Sequence, residues 1–122
     1  MQWLKGDLTF ELLARMLDVC LLRHRVIATN IANVDTPGFK TRRVIFEEKL
    51  RNLLNQNLTR EKLQKLTPEI RIDYTSNLRE DLNNVNIEKE IVKLSMNTLR
   101  YNLYVQLLNK KLEKLKMAIR GR

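Results

Sequence analysis

His24, Cys20 and a loose set of carboxylates (Asp73, Glu80 and Asp81) are the side chains in this chain whose types could do chemistry. A metal centre needs several His, Cys or carboxylate ligands at short spacing, and a cysteine-based zinc cluster needs several thiols. One histidine and one cysteine supply neither. Covalent catalysis needs a nucleophile beside a base, and acid–base work needs paired groups of different pKa. No such pair is apparent, and no glycine-rich loop is present to cradle a phosphate. His24 therefore reads as a packing or surface residue and Cys20 as a small buried apolar one. The three carboxylates read as a solvated polar stretch. The sequence predicts no catalytic residue, no metal and no cofactor.

Charge offers a different chemistry. The chain has 122 residues, 23 of them basic and 14 acidic, for a formal charge of +9. Such a balance suits nucleic acid, an anionic membrane surface or an acidic partner. Arg42, Arg43 and the basic last turns (Lys110, Lys111, Lys114, Lys116, Arg120, Arg122) could contact phosphate with a steep salt dependence. A basic coiled-coil nucleic-acid-binding protein is thus one reading, although no nucleic-acid-binding fold is recognisable. The single cysteine excludes an internal disulfide. No apolar run is long enough for a membrane span. The first residues lack the continuous apolar segment of a cleavable signal, so export would take another route. Three Gly, two Pro and 6% aromatics argue against a turn-rich sandwich or barrel.

The elements that would position these groups are mainly helical. A first helix is expected to start near Asp7 or Thr9, both suitable N-caps, and to run to about Asn33. Its apolar residues Phe10, Leu13, Leu17, Cys20, Ile27 and Ile31 repeat in alternating steps of three and four, with His24 interrupting the seam. Leu12, Met16 and Leu21 widen that face, and Trp3 is expected to pack under the helix entrance. A second, longer helix follows Asn86, a suitable N-cap, with Glu88 and Glu90 at its positive end. Its seam is Ile87, Ile91, Leu94, Tyr101, Val105, Leu108, Leu112, Leu115 and Ile119, interrupted by Thr98. The C-terminal cations suit the negative end of the helix dipole, and Gly121 suits a stop. Roughly 33 residues at 1.5 Å each give a length of about 50 Å. Neither stripe can be buried against its own helix, so each needs a partner helix.

Between them the order changes. Asn33 tolerates the left-handed conformation that closes many helices, Pro37 cannot continue one, and Pro37-Gly38 suits a type II turn. Thr41 to Phe46 is short and β-prone. Phe46 to Leu66 reads as an amphipathic helix in two pieces around Asn57-Leu58-Thr59, with Thr59 as a cap and Pro68 ending the region. Glu69 to Tyr74 alternates as a strand would, yet a lone strand has little to pair with here. Residues 40–85 look too polar and too interrupted for a core of their own, and partial disorder is expected in an isolated monomer.

Asn30, Ile31, Ala32 and Asn33 followed by Thr36, Pro37, Gly38, Phe39 and Lys40 resemble the N-terminal motif of flagellar basal-body rod and hook proteins, N-x-A-N-x-x-T-P-G-Y-K. Phe39 replaces the commoner Tyr. Asp81 to Ile91 resembles the D-G-N-N-V-D-I-E-K-E-M run of rod proteins, with Leu82 for Gly and Asn86 for Asp. Asn97 to Tyr101 and Lys116 to Gly121 are similar to the ending of the proximal-rod type. The resemblance covers both ends of the chain, and the middle carries none.

The resemblance implies a structural role rather than an enzymatic one. It implies a mainly α fold in which two long terminal helices pair as an axial coiled coil, with an extended or partly disordered middle arm. The segments would be 1–36, 37–85 and 86–122, the first and last forming one coiled-coil unit. Copies would assemble with other rod proteins into a hollow drive shaft joined to the inner-membrane ring complex, after passage through the flagellar export apparatus. No bound nucleic acid and no membrane span are implied. Phe46 and Leu50, four residues apart and shortly after the turn, resemble the signal read by the export gate. On a helix the same pair is simply one face.

Overall fold

The structure, a computed structural model, describes residues 2–76 and 78–121. In chain order it comprises α1 (Gln2–Ala32), β1 (Arg42–Ile45), α2 (Glu47–Gln56), α3 (Arg60–Lys65), β2 (Glu69–Ile72) and α4 (Ile87–Ile119). The two long helices pack along each other, and β1 lies against α1. Helix α1 starts at Gln2, so Asp7 and Thr9 lie inside it and neither caps it. Gly6 disfavours a helix interior by only about 1 kcal/mol, which a helix of this length absorbs. The Trp3 side chain lies outside the described residues.

Helix α4 begins where the sequence predicts. The Asn86 side chain accepts the Lys89 N–H at 3.2 Å, satisfying one of the donors that a helix start leaves free. At the other end Gly121 takes φ +68°, the left-handed stop that glycine adopts without a Cβ penalty. Thr59 caps α3 in the same manner, accepting the Lys62 N–H at 3.2 Å. Asn57, at φ +126°, breaks the amphipathic run into its two pieces.

The middle departs from expectation in one decisive respect. The strand at Glu69 has a partner: β1 and β2 pair antiparallel, with Arg42 opposite Ile72 and Ile45 opposite Glu69. The loop closure is bridged by α2 and α3, which fold back so that their apolar residues meet α1. Phe46 and Leu63 are fully buried, and Leu66 nearly so, against Met16, Val19, Val26 and Val44. The middle has too few apolar residues for a core of its own, but α1 lends it one. Polar ties fix the same contact. Arg23 forms a two-pronged ion pair with Glu47 at 2.7 and 2.8 Å and also donates to the Val44 carbonyl at 3.1 Å. Arg15 donates to the Gln64 carbonyl at 2.7 Å, and Arg60 pairs with Glu11 at 3.0 Å. Among the described residues no helix is long and apolar enough to cross a membrane.

Candidate functional site

The motif residues meet at the end of α1, where Asn30, Asn83 and Asn84 tie distant segments together. Asn30 is fully buried two residues before α1 ends at Ala32. Its side-chain oxygen accepts the Arg42 backbone N–H at 3.0 Å, and its amide donates back to the Arg42 carbonyl at 2.8 Å. An asparagine here imitates a strand neighbour, closing both backbone groups at the start of β1. The same amide donates to Glu90 Oε2 at 3.0 Å, and Lys93 donates to Glu90 Oε1 at 3.3 Å. Glu90 is 2% exposed, so a carboxylate is held inside the α1–α4 contact only because both its oxygens are engaged.

Asn83 works from the other side. It is fully buried, with its amide nitrogen 2.9, 3.1 and 2.8 Å from the carbonyls of Asn33, Val34 and Thr36. All three carbonyls lie in the turn segment that follows α1. Its side-chain oxygen accepts the Val85 N–H at 2.7 Å. Asn84 accepts the Thr41 N–H at 2.6 Å and donates to the Asp73 carbonyl at 2.8 Å. One dipeptide thus clamps the α1 exit, the approach to β1 and the exit from β2 onto the start of α4.

Between these clamps runs the turn. The Phe39 N–H donates to the Thr36 carbonyl at 3.2 Å and Gly38 sits at φ +76°, as a type II turn at Pro37-Gly38 requires. The Gly38 N–H reaches the Asp81 carbonyl at 2.8 Å, joining the two motif stretches. Lys40 donates to the carbonyls of Gly38 and Leu82, and the Arg42 guanidinium lies 5.6 Å from the Phe39 ring centroid. Asn33 does not take the left-handed conformation expected of it. Its side chain donates to the Thr29 carbonyl at 2.8 Å and accepts the Thr36 hydroxyl at 3.0 Å, so it ends the helix by hydrogen bonding instead. The left-handed residue is Leu82, at φ +66°, which explains why glycine suits this position.

The apolar seams are met in part. On α1, Cys20 and Ile27 are buried, while Phe10, Leu13, Leu17 and Ile31 are half-buried. Burial pushes the Cys20 thiol above its ordinary pKa, as expected of an inert buried thiol. His24 is exposed. On α4 the line facing α1 runs through Glu90, Leu94, Asn97, Tyr104, Leu108 and Lys111, shifted around the helix from the expected seam. Leu94, Val105 and Leu108 take part, whereas Ile87, Ile91, Leu112, Leu115 and Ile119 are exposed, and Tyr101 lies on the margin. Apolar periodicity missed Glu90 and Asn97 because both are polar. Asn97 is buried and donates to the Cys20 carbonyl at 2.8 Å.

Of the remaining candidates, Asp73 and Asp81 join this junction through their backbone carbonyls, and Phe46, Leu50 and Glu80 lie outside it. Phe46 lies in the core beside α1, with Leu50 half-buried next to it. Asp73 closes its own turn, accepting from the Ser76 and Thr75 hydroxyls and backbone N–H groups. Those hydrogen bonds, the Ser76 hydroxyl foremost, hold its carboxyl well below the usual range. Asp81 accepts the Asn83 N–H at 3.2 Å. Glu80 is exposed. Among the described residues no group of three or more His, Cys, Asp or Glu could hold a metal ion. The arrangement locks two helices and a two-stranded sheet in one geometry.

Comparison with known proteins places this geometry. The family model for flagella basal body rod proteins matches residues 23–40, from Arg23 through the turn to Lys40. The flagellar basal body rod protein FlgB of Borrelia hermsii is 36% identical, covering 83% of this chain and 87% of its own length. FlgB of Aeromonas hydrophila is 32% identical over 94% of this chain and 95% of its own. FlgB of Bacillus subtilis is 29% identical over 93% and 94%. With identity above 30% spanning most of both chains, this chain belongs to the FlgB family of flagellar basal body rod proteins.

Proposed function

We propose that the chain is a non-enzymatic structural subunit of the proximal rod, assembling with its own copies and other rod proteins around the export channel. The observation that carries this reading is the uncovered apolar surface of α4. Helix α1 covers one line of it, yet Val92, Met96, Leu99 and Leu103 form a second row that is 48–69% exposed. Ile87, Ile91, Leu112, Leu115 and Ile119 lie open as well. Apolar surface of that extent on a long helix suits neighbours laid alongside it. Heterologous contacts that do not close generate a helical tube.

In this reading the terminal segments 1–36 and 86–122 form the axial unit, and residues 37–85 pack on its flank. The motif residues Asn30, Asn33, Thr36, Pro37, Gly38 and Lys40 act by fixing the geometry of that unit, not by contacting a ligand. Assembly takes place in the periplasmic space beside the inner-membrane ring complex, after passage through the flagellar export apparatus. Phe46 and Leu50 are accessible to an export gate only while the chain is unfolded, which export through a narrow channel requires.

Val105→Pro tests the reading. Proline inside a helix costs about 3 kcal/mol or more and kinks it. A strain carrying only this variant should make and export the protein but lack rods and fail to swim. Normal swimming would contradict the proposal.

A further inference from the structure

Between α1, β1 and α4 lies a groove of about 290 Å³, of which the rod reading uses only Met96. Its floor is apolar: Val26, Ile27 and Val44, with Met96 reaching in from α4. Its rim is cationic: Arg23, Arg42, Arg43, Lys93 and Arg100. Glu47 neutralises Arg23 and Glu90 neutralises Lys93. Arg42 lies over the Phe39 ring, and neither Arg43 nor Arg100 forms an ion pair among the described residues. Arg42, Arg43 and Arg100 thus line an apolar trough without an ion pair among the described residues, Glu47 acting on Arg100 only through its field. Guanidinium groups hold carboxylates in paired, planar geometry.

We infer that this groove receives an acidic amphipathic segment of a different protein, one apolar side chain seating on Met96 and Val44 while flanking carboxylates pair with Arg42, Arg43 and Arg100. The volume suits one large apolar anchor, at the small end of ligand sites. Methionine adapts to varied apolar partners. A nucleic acid would leave the apolar floor uncovered, and no lining residue is aromatic, so no base can stack there. A second copy of this chain is poorly suited, because the chain carries +9. Five of its acids, Glu11, Glu47, Glu69, Asp81 and Glu90, are already in ion pairs. On α4 the exposed Glu88 adjoins Lys89, and Glu113 adjoins Lys114. This inference stands on the groove alone and does not require that the chain builds a rod.

The full-length protein can be titrated with a fluorescent helical peptide bearing Glu and Leu one turn apart on an alanine background. Controls are a Gln-for-Glu peptide, an Ala-for-Leu peptide and a single-stranded DNA oligonucleotide. The Glu/Leu peptide should bind at least tenfold more tightly than either control peptide. Binding should weaken at least tenfold in R43E/R100E and less than twofold in K114E, which alters charge at the far end of α4. Far-ultraviolet circular dichroism checks that the variants fold. Amide shifts in the wild-type protein provide a variant-free readout and should move at Arg43, Val44 and Met96. Equal binding of the three peptides, equal weakening by K114E, shifts elsewhere, or displacement of the peptide by the oligonucleotide would each overturn the inference.

Discussion

The Asn30 amide donates to Glu90 Oε2 at 3.0 Å across 60 positions of sequence, and both side chains are buried. This contact gives the rod motif a physical meaning. The first asparagine of the motif is spent on three backbone and side-chain partners, one of them on the facing helix. Asn30→Ala would strand the Arg42 backbone groups and half of the Glu90 carboxylate. Leaving buried polar groups unpaired costs about 1–3 kcal/mol each, so a loss of about 3 kcal/mol is expected in denaturant unfolding. Asn30→Ala and Glu90→Ala should couple by about 1 kcal/mol or more in a double-mutant cycle. Strict additivity would show that the contact contributes nothing.

Leu82 occupies a left-handed conformation that costs an L-residue about 1–2 kcal/mol. Its side chain is 57% exposed, so little burial is lost on removing it. Leu82→Gly should raise stability by about 1 kcal/mol, less the entropy that glycine gains in the unfolded chain. An unchanged or lower denaturation midpoint would refute the strain.

Phe46 is fully buried, so Phe46→Ala should cost about 3–5 kcal/mol whatever its role in export. Leu63→Ala removes a fully buried side chain from the same cluster without touching the Phe46–Leu50 pair. If the pair is an export signal, secretion should fall with Phe46→Ala and persist with Leu63→Ala. Equal secretion of the two variants would reduce Phe46 to a core residue.

Glu47 links α2 to α1 through Arg23. Burial alone pushes its carboxyl up, but the Arg23 hydrogen bonds and charge outweigh that, and its pKa lies below the ordinary 4.5. A lowered carboxylate pKa adds stability above the unfolded value and loses it as pH falls through the folded one. Wild type should therefore lose stability relative to Glu47→Gln below about pH 4.5. The Glu47 side chain is 41% exposed, which keeps the difference under about 1 kcal/mol. A difference that grows on acidification would contradict the sign.

Local chemistry was legible where one residue decides it. Asn86 and Thr59 cap the helices they were expected to cap, Gly121 stops α4, and Pro37-Gly38 makes its turn. Pairings across the chain were not. Strands β1 and β2 have four residues each, and nothing local to Glu69 announces that Arg42–Ile45 waits for it. The seam of α4 was drawn from apolar residues, whereas Glu90 and Asn97 are buried through partners 60 and 77 positions away. Hydrophobic periodicity cannot register a polar residue whose burial depends on a distant hydrogen bond. Asn83 and Asn84 were visible only as part of a familial run, and their role emerges from the carbonyls they collect.

Electron microscopy of basal bodies from a strain lacking this gene, beside the complemented strain, shows whether the rod depends on this chain. A rod subunit requires inner-membrane rings without a rod in the deletion strain, and rods restored on complementation. Intact rods in the deletion strain would contradict it.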